Sequence, residues 1–325
     1  MKITKVRSHM DSQNRQVTPI KTSIGITAHN EAANIGQLLE ALLVQDTTQV
    51  QIDEILVVSS GSTDGTDDIV RQWEKEDSRI RLVRQAKREG KASAINLFIK
   101  EARNEILVLE SADTLPLANA VENLVRPLQD KGVGMTGGHP VPLNSEKTII
   151  GAVVHLMWEL HHRLALESPK LGEMVAFRRV VDFIPLESAV DEASLEAVIQ
   201  RAGFALLYVP EAIVLNKGPE SVRDFIIQRR RIQAGHLWLR SNSGYQVSTK
   251  SVSRILRHLV QATPPSGRGL LVGAAAIILE ALGRGLGWLD FKVLGKNPFV
   301  WKVAQSTKSL EQQGKVRLVK GGNRA

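Results

Sequence analysis

The sequence predicts an α/β fold built on a mostly parallel sheet. Three observations carry that expectation. Short β-prone runs alternate with amphipathic helical segments through residues 21–109, most of those runs end in a polar cluster, and no cysteine is present to build a disulfide scaffold instead. Residues 21–27 (KTSIGIT) are the first β-prone run and lead into His29-Asn30-Glu31. From Asn34 onward Ile35, Leu38, Leu39, Leu42 and Leu43 recur at helical spacing. Residues 52–58 (IDEILVV) are a second buried strand closed by the turn SSGSTDGT over 59–66, and Ile69, Val70 and Trp73 then mark the inner face of a helix. Residues 80–83 give a third strand, 91–102 a helix, and 105–109 a fourth strand ending at Glu110-Ser111-Ala112-Asp113. Such an order implies right-handed crossovers, and in such sheets ligands bind beyond the carboxyl ends of the strands. The polar clusters at 27–31, 59–64 and 110–113 all fall there, so one site is expected rather than three unrelated loops.

From Pro116 the texture changes. Residues 118–128 read as a helix, 132–142 as strand and loop, 148–168 as a long, mostly apolar helix, and 172–179 as a strand. Residues 192–202 are helical with Leu195, Val198 and Ile199 on one face, and 221–239 form a long, strongly basic helix. Beyond Tyr245 come a basic amphipathic stretch (SVSRILRHLVQ), the breaker Pro264-Pro265 and an apolar segment over 269–291. No internal repeat is evident.

Composition narrows the function classes. The 325 residues are 43% hydrophobic and 23% charged, ordinary values for a soluble globular protein. A net charge of +8 and a pI near 9.7 favour an anionic partner: a nucleotide diphosphate, an anionic lipid surface or nucleic acid. Nucleic acid is set aside, because aromatics are only 4% and are not interleaved with the basic residues. The lack of cysteine excludes a thiolate zinc site and a cysteine nucleophile, and fits a cytoplasmic location. The first residues, MKITKVRSHMDSQNRQ, are polar and basic with no apolar core for a secretory signal, and are expected to be a disordered leader over 1–20. No G-x-G-x-x-G follows the first strand, which disfavours a dinucleotide dehydrogenase.

Taken in order, Ala28-His29-Asn30-Glu31 after the first strand, SSGSTDGT after the second, EGKASAIN over 89–96 and the strand ending ESAD resemble the family 2 glycosyltransferases of the GT-A fold. The resemblance runs over about residues 21–239. It implies a nucleotide-sugar-binding half over 21–115, an acceptor-binding half over 116–244 and a basic, apolar helical extension over 245–325. It also implies an inverting transferase acting from a nucleotide-diphosphate sugar on a glycan or lipid-linked acceptor, with Mg²⁺ or Mn²⁺. Thr27, His29, Glu31, Ser60 and Lys91 would shape the donor pocket, and Asp113 would be the metal ligand. The physical reading agrees: glycines 61 and 65 let backbone approach a ligand, and Lys91 opens a helix where amides and an ammonium meet an anion together. One or two protein carboxylates suffice for a metal whose other positions are filled by phosphate and water.

The sequence departs from the family pattern in four places. Ser111 stands at the first position of the D-x-D motif, Ser59-Ser60 stand where the family's turn usually has two aspartates, and Ile232 replaces the tryptophan of a Q-x-x-R-W motif. The first two remove negative charge from the donor site, and the third removes an aromatic sugar platform. The acidic pair that supplies the general base is present in reversed order, Asp191-Glu192. By register against Leu195, Glu192 takes the catalytic place with Asp191 as the alternative. Gln228 and Arg231, three apart on one helix face, are expected to hold diphosphate or acceptor. His139, after Gly137-Gly138, is an acceptor-site candidate. His236 and Trp238 are candidates for the acceptor cleft or for packing, and His161 and His162 are read as packing or surface residues.

In the extension, Leu270 to Leu279 is uninterrupted apolar sequence, but Glu280, Arg284 and Asp290 follow. A simple spanning helix is therefore not expected. Arg254, Arg257 and His258 alternate with Ile255, Leu256, Leu259 and Val260, which fits a membrane-surface helix peripheral at the inner face of the membrane. The other reading is a degenerate transferase domain serving as a membrane-surface binding or scaffolding module.

Overall fold

The computed structural model describes residues 18–245 and 252–297. Most of the expected leader, Ser251 and the basic tail with Phe299 and Trp301 lie outside the described residues. The first half alternates as expected: β1 (Ile20–Ala28), α1 (Ile35–Leu43), β2 (Val50–Ser60), α2 (Thr66–Glu76), β3 (Ile80–Gln85), α3 (Lys91–Glu101) and β4 (Ile106–Ser111). The second half contributes β5 (Thr114–Pro116), α4 (Ala120–Val125), β6 (Val133–Pro142), α5 (Ile149–Glu167), β7 (Val175–Arg178), α6 (Asp191–Arg201), β8 (Ala205–Asn216) and α7 (Val222–Ser243). Two further helices follow, α8 (Val252–Ala262) and α9 (Gly267–Lys292).

All eight strands belong to one sheet, in the order β3-β2-β1-β4-β7-β6-β8-β5. Parallel pairing joins β3, β2, β1 and β4, and separately β6 and β8. β7 runs antiparallel to both its neighbours and β5 antiparallel to β8. β1 has β2 on one side and β4 on the other, so the crossovers diverge at its carboxyl end and leave a crevice there.

Central strands are buried on both faces, which is why they read as continuous apolar runs rather than alternating ones. Ile55 and Val57 of β2 pack with α1 and α4, while Leu56 and Val58 pack with α3 on the opposite face. Ile106, Val108 and Leu107, Leu109 of β4 divide the same way. Ile35, Leu38, Leu39 and Leu42 give α1 its fully buried stripe.

Three elements differ from expectation. No strand is expected between 202 and 221, yet β8 fills most of that interval; Pro210 and Glu211 interrupt its apolar pattern, and β6 opposite shifts register between Gly137 and His139. The helix expected over 118–128 stops at Val125 and tightens into a short 3-10 turn, Arg126–Gln129, where Pro127 cannot donate an α-helical hydrogen bond. The apolar segment after Pro265 is one helix of 26 residues, long and apolar enough by length and composition to cross a membrane. Two of its acidic residues, Glu280 and Asp290, are bound by arginines of α7. Arg229 holds Glu280 through two hydrogen bonds of 2.6 and 2.7 Å, and Arg230 pairs with Asp290. Arg229 and Arg230, which also read as a solvated basic face, thus lock α7 to α9.

Candidate active site

The loops that leave β1 and β2 brace each other. His29 Nδ1 lies 2.7 Å from the carbonyl oxygen of Ser60, the Asn30 amide donates to Ser62 Oγ at 3.1 Å, and Asn30 Oδ1 accepts from the Thr63 amide at 2.8 Å. The Glu31 amide donates to Thr66 Oγ1 at 2.8 Å. Burial would raise the Asp64 carboxyl, but the Thr66 hydroxyl and the Ala32 and Thr66 amides outweigh it and hold Asp64 below its usual range. Gly61 has φ +61°, and a Cβ there would lie 2.6 Å from the Arg88 amide nitrogen, so this turn needs glycine for conformation and for space. Ser59, one of the two serines of the motif, is engaged with Asp67 at 2.5 Å and Ser62 at 2.9 Å.

These loops form one wall of a cavity of about 1030 Å³. Thr27, His29, Glu31, Ser60, Lys91, Asp113, Glu192, Gln228 and Arg231 all line it. The structure therefore gathers residues from β1, α3, the β4–β5 turn, α6 and α7 at the crevice where ligands of such sheets sit. Lys91, the first residue of α3, is the centre of the charge arrangement. Its ammonium donates to Glu192 Oε1 at 2.7 Å and to Ser111 Oγ at 3.2 Å. Burial disfavours that ammonium, yet Glu192, Asp191 and Glu173 overcome the penalty and keep it protonated.

The acidic pair divides by environment. Glu192 reaches the cavity; burial would raise its carboxyl, but Lys91 holds it below the usual range. Asp191 is 2% exposed, does not line the cavity, and its Oδ1 has no hydrogen-bond partner among the described residues. Burial and the neighbouring Glu192 charge push it upward against the pull of Lys91. His139 is also left out: its ring stacks on His162 at 4.1 Å and meets Tyr208 edge-on, away from the cavity lining. Trp238 packs with Val190, Ala193 and Leu239, whereas His236 and His161 line the cavity.

Several lining residues were not singled out from sequence. Glu173 sits at φ +58°, an uncommon conformation for a residue with a side chain, just before β7. Burial, Asp113 and Glu192 raise its carboxyl to about 7, against a hydrogen bond from Asn216. Glu110, which the sequence offers as an assistant to Asp113, is fully buried and does not line the cavity; burial raises it to about 8, with Glu173 and Asp113 adding to the shift against the Thr114 hydroxyl that donates to it. Its Oε2 is buried without a partner. The Gly172-Glu173 dipeptide ahead of a strand was the available signal, but nothing in its spacing ties it to Asp113.

The donor set fits a divalent cation that also takes phosphate oxygens. Asp113 faces the cavity, and the carboxyls of Glu110 and Glu173 lie close enough to be raised by it, a local excess of negative charge. Among the described residues no three His, Cys, Asp or Glu side chains converge tightly enough to hold a metal unaided. Protein carboxylate plus ligand phosphate is the usual solution for Mg²⁺.

The glycosyl transferase family 2 profile matches residues 23–177. Glycosyltransferase AglE of Haloferax volcanii is 31% identical over 117 residues, which cover 36% of this chain and 38% of that protein. The probable glycosyltransferase YdaM of Bacillus subtilis is 25% identical over 242 residues, 68% of this chain and 55% of that one. The chain thus spans between 38% and 55% of the length of these two relatives. Among solved structures, the mannosyltransferase PcManGT from Pyrobaculum calidifontis, in complex with GDP-Man and Mn²⁺, superposes with a TM-score of 0.55 at 21% identity, covering 87% of this chain and 84% of that one. That last likeness is one of fold. The ordered motifs and the profile match make residues 23–177 similar to glycosyl transferase family 2, within a chain that shares the GT-A architecture.

Proposed function

We propose that this chain is an inverting glycosyltransferase that moves a sugar from a nucleotide-diphosphate donor to a hydroxyl or phosphate of a glycan, glycolipid or polyprenyl phosphate. The observation that carries the proposal is the convergence of Lys91, Asp113, Glu192 and Arg231 in one cavity at the carboxyl end of β1 and β4. Residues 21–115 supply the donor side and 116–244 the acceptor side. The β1 and β2 loops, with Thr27, His29, Glu31 and Ser60, present polar edges to nucleoside. Lys91 and Arg231 face the diphosphate, and Gln228, on the same face of α7 as Arg231, lies on the acceptor side.

Inversion follows from direct displacement. An acceptor hydroxyl attacks the anomeric carbon from the face opposite the diphosphate, its proton passes to Glu192 as the bond forms, and the electron pair of the broken bond leaves with the nucleotide. Mg²⁺ or Mn²⁺ at Asp113, with Glu110 or Glu173 assisting, would neutralise charge on that leaving group. The Lys91–Glu192 pair couples the two events: a diphosphate competing for the ammonium leaves Glu192 as a free carboxylate. Transfer and binding measured with a panel of UDP-, GDP- and dTDP-sugars, with Mn²⁺ and with chelator, test this. At least one donor is expected to bind and release its nucleotide only with metal; binding by none overturns the enzyme reading and leaves the scaffolding module.

Peripheral attachment at the cytoplasmic face of a membrane belongs to the same proposal and rests on α8 and α9. Val260, Leu270, Leu271 and Ile278 are 57–75% exposed, on helices that also carry the exposed Arg254 and Arg268. Each such side chain gains roughly 1.5–3 kcal/mol on full burial, so an anionic bilayer offers more than basic residues alone would gain. The full chain is expected to float with vesicles containing phosphatidylglycerol, and Leu270→Glu with Ile278→Glu to reduce recovery at least fivefold. Equal recovery of both proteins would remove the membrane clause.

A further inference from the structure

The cavity is larger than a nucleotide site requires. Beyond Glu192 and Arg231 it continues between α5, α8 and α9, where its walls change character. Trp158, Leu256, Leu259 and Ile277 make an apolar gallery. Leu256 and Ile277 are also 50% and 51% exposed, so the gallery opens on the outer apolar face of α8 and α9.

At the inner end of the gallery is a cationic chamber. Lys170 lines the cavity, and its ammonium makes no hydrogen bond or ion pair within reach among the described residues. Around it stand Arg229 of α7 and Arg284 of α9, both holding the single carboxylate of Glu280, and Glu196 of α6. Glu196 is itself committed, accepting from the Leu171 amide and the Tyr245 hydroxyl, each at 2.6 Å. His161 and His236 line the same chamber as neutral imidazoles, since burial, followed by the nearby cations, pushes both down to about 3. Burial and Arg229 likewise lower Lys170 to about 8, as expected where cations outnumber anions. The chamber can therefore take an anion supplied by a ligand.

Glu196 is one turn from Glu192 on α6, about 6 Å along the helix axis. Lys170 feels the charge of Glu196 and lines the same cavity as Glu192, so a group held at Lys170 and an oxygen at Glu192 share one cavity. We infer that the acceptor is a phospholipid-like amphiphile whose reactive hydroxyl lies at Glu192, whose phosphate is held by Lys170 with His161 and His236, and whose single apolar chain runs out between α8 and α9. This rests on the glycosyltransferase reading and narrows its acceptor to a hydroxyl carried on a lipid phosphate. The transfer balances without a further reactant: the hydroxyl oxygen bonds to the anomeric carbon, its proton goes to Glu192, and the nucleotide diphosphate departs with the electron pair. The lipid phosphate keeps its bonds.

The test uses the full chain and three probes below any micelle concentration: lauroyl-lysophosphatidylglycerol, monolauroylglycerol without phosphate, and glycerol 3-phosphate without a chain. Calorimetry is expected to give the lysophospholipid at least tenfold tighter binding than either fragment. Lys170→Gln should erase that tenfold advantage while leaving monolauroylglycerol unchanged. Ile277→Glu, at a half-exposed position, should weaken both chain-bearing probes and leave glycerol 3-phosphate unchanged. Equal binding of glycerol 3-phosphate and the lysophospholipid would assign the chamber to free phosphate, and an unchanged Lys170→Gln protein would remove the phosphate assignment; either overturns the inference. Donor nucleotide binding with Mn²⁺, measured on the same preparations, separates the two levels. Donor binding without lysophospholipid binding defeats this inference alone, whereas lysophospholipid binding without donor binding defeats the transferase reading.

Discussion

Glu192→Gln is expected to lower kcat by about 10²–10⁴-fold while changing donor affinity by less than about threefold. The substitution keeps the side-chain volume and an oxygen for the Lys91 ammonium, which now donates to Glu192 Oε1 at 2.7 Å, so fold and pocket shape are preserved. What it removes is the capacity to take a proton from an acceptor hydroxyl. Asp191→Asn is the necessary companion. Asp191 is buried outside the cavity and its carboxyl is pushed up to about 7 by burial, so a neutral isostere resembles one of the two states it populates near neutral pH. A loss of less than about tenfold is expected there, consistent with a residue acting through its neighbour. The reverse ranking would make Asp191 the base. Because Lys91 holds Glu192 below its usual range in the ligand-free protein, the ratio of wild-type to Glu192→Gln kcat/KM should be constant between about pH 6.5 and 8. The pair also reports on the acceptor. A phosphate dianion attacking directly carries no proton to remove, so a Glu192→Gln protein with near-normal kcat would point to a phosphate nucleophile instead of a hydroxyl.

The donor half was legible because its information is local. Each of β1, β2 and β4 is an apolar run followed directly by the polar cluster it presents, so Thr27, Ser60 and Asp113 could be placed at one sheet edge from order alone. The acceptor side was less legible for a physical reason. β8 carries Pro210 and Glu211 in a partly exposed strand, which breaks the alternation on which strand recognition depends. Lys170 and Glu173 enter the site from the connection that precedes β7, an antiparallel insertion that no crossover rule anticipates, and Asn216 enters from the end of β8. His139 lies outside the cavity lining, with its ring stacked on His162 of α5. Arg229 and Arg230 show the limit of composition: a basic helix face reads as solvated until the acidic residues of a helix 50–60 positions later are brought against it.

Asp113→Asn is expected to have two effects of opposite sign, and their opposition is what identifies a metal ligand. Activity should fall by about 10²–10³-fold, since loss of charge neutralisation on the departing diphosphate costs several kcal/mol at about 1.4 kcal/mol per tenfold. Added Mn²⁺ should no longer tighten donor binding. The metal-free protein, by contrast, should become more stable at pH 8, by on the order of 1 kcal/mol. Burial and the Asp113 charge raise Glu110 to about 8 and Glu173 to about 7, above the value of 4.5 they start from. A carboxyl whose folded pKa is raised binds more protons when folded than when unfolded, so stability falls as pH rises from about 4.5 through 7–8. Removing the Asp113 charge lowers both raised values and returns part of that loss. Mn²⁺ should act in the same direction on the wild type, stabilising it most at high pH, where the carboxyls would otherwise repel. Denaturant titrations at pH 6 and 8, with and without Mn²⁺, read all four corners of this cycle. A residue that merely caps the turn after β4 would destabilise the metal-free protein at both pH values when replaced, and would leave the response to Mn²⁺ intact.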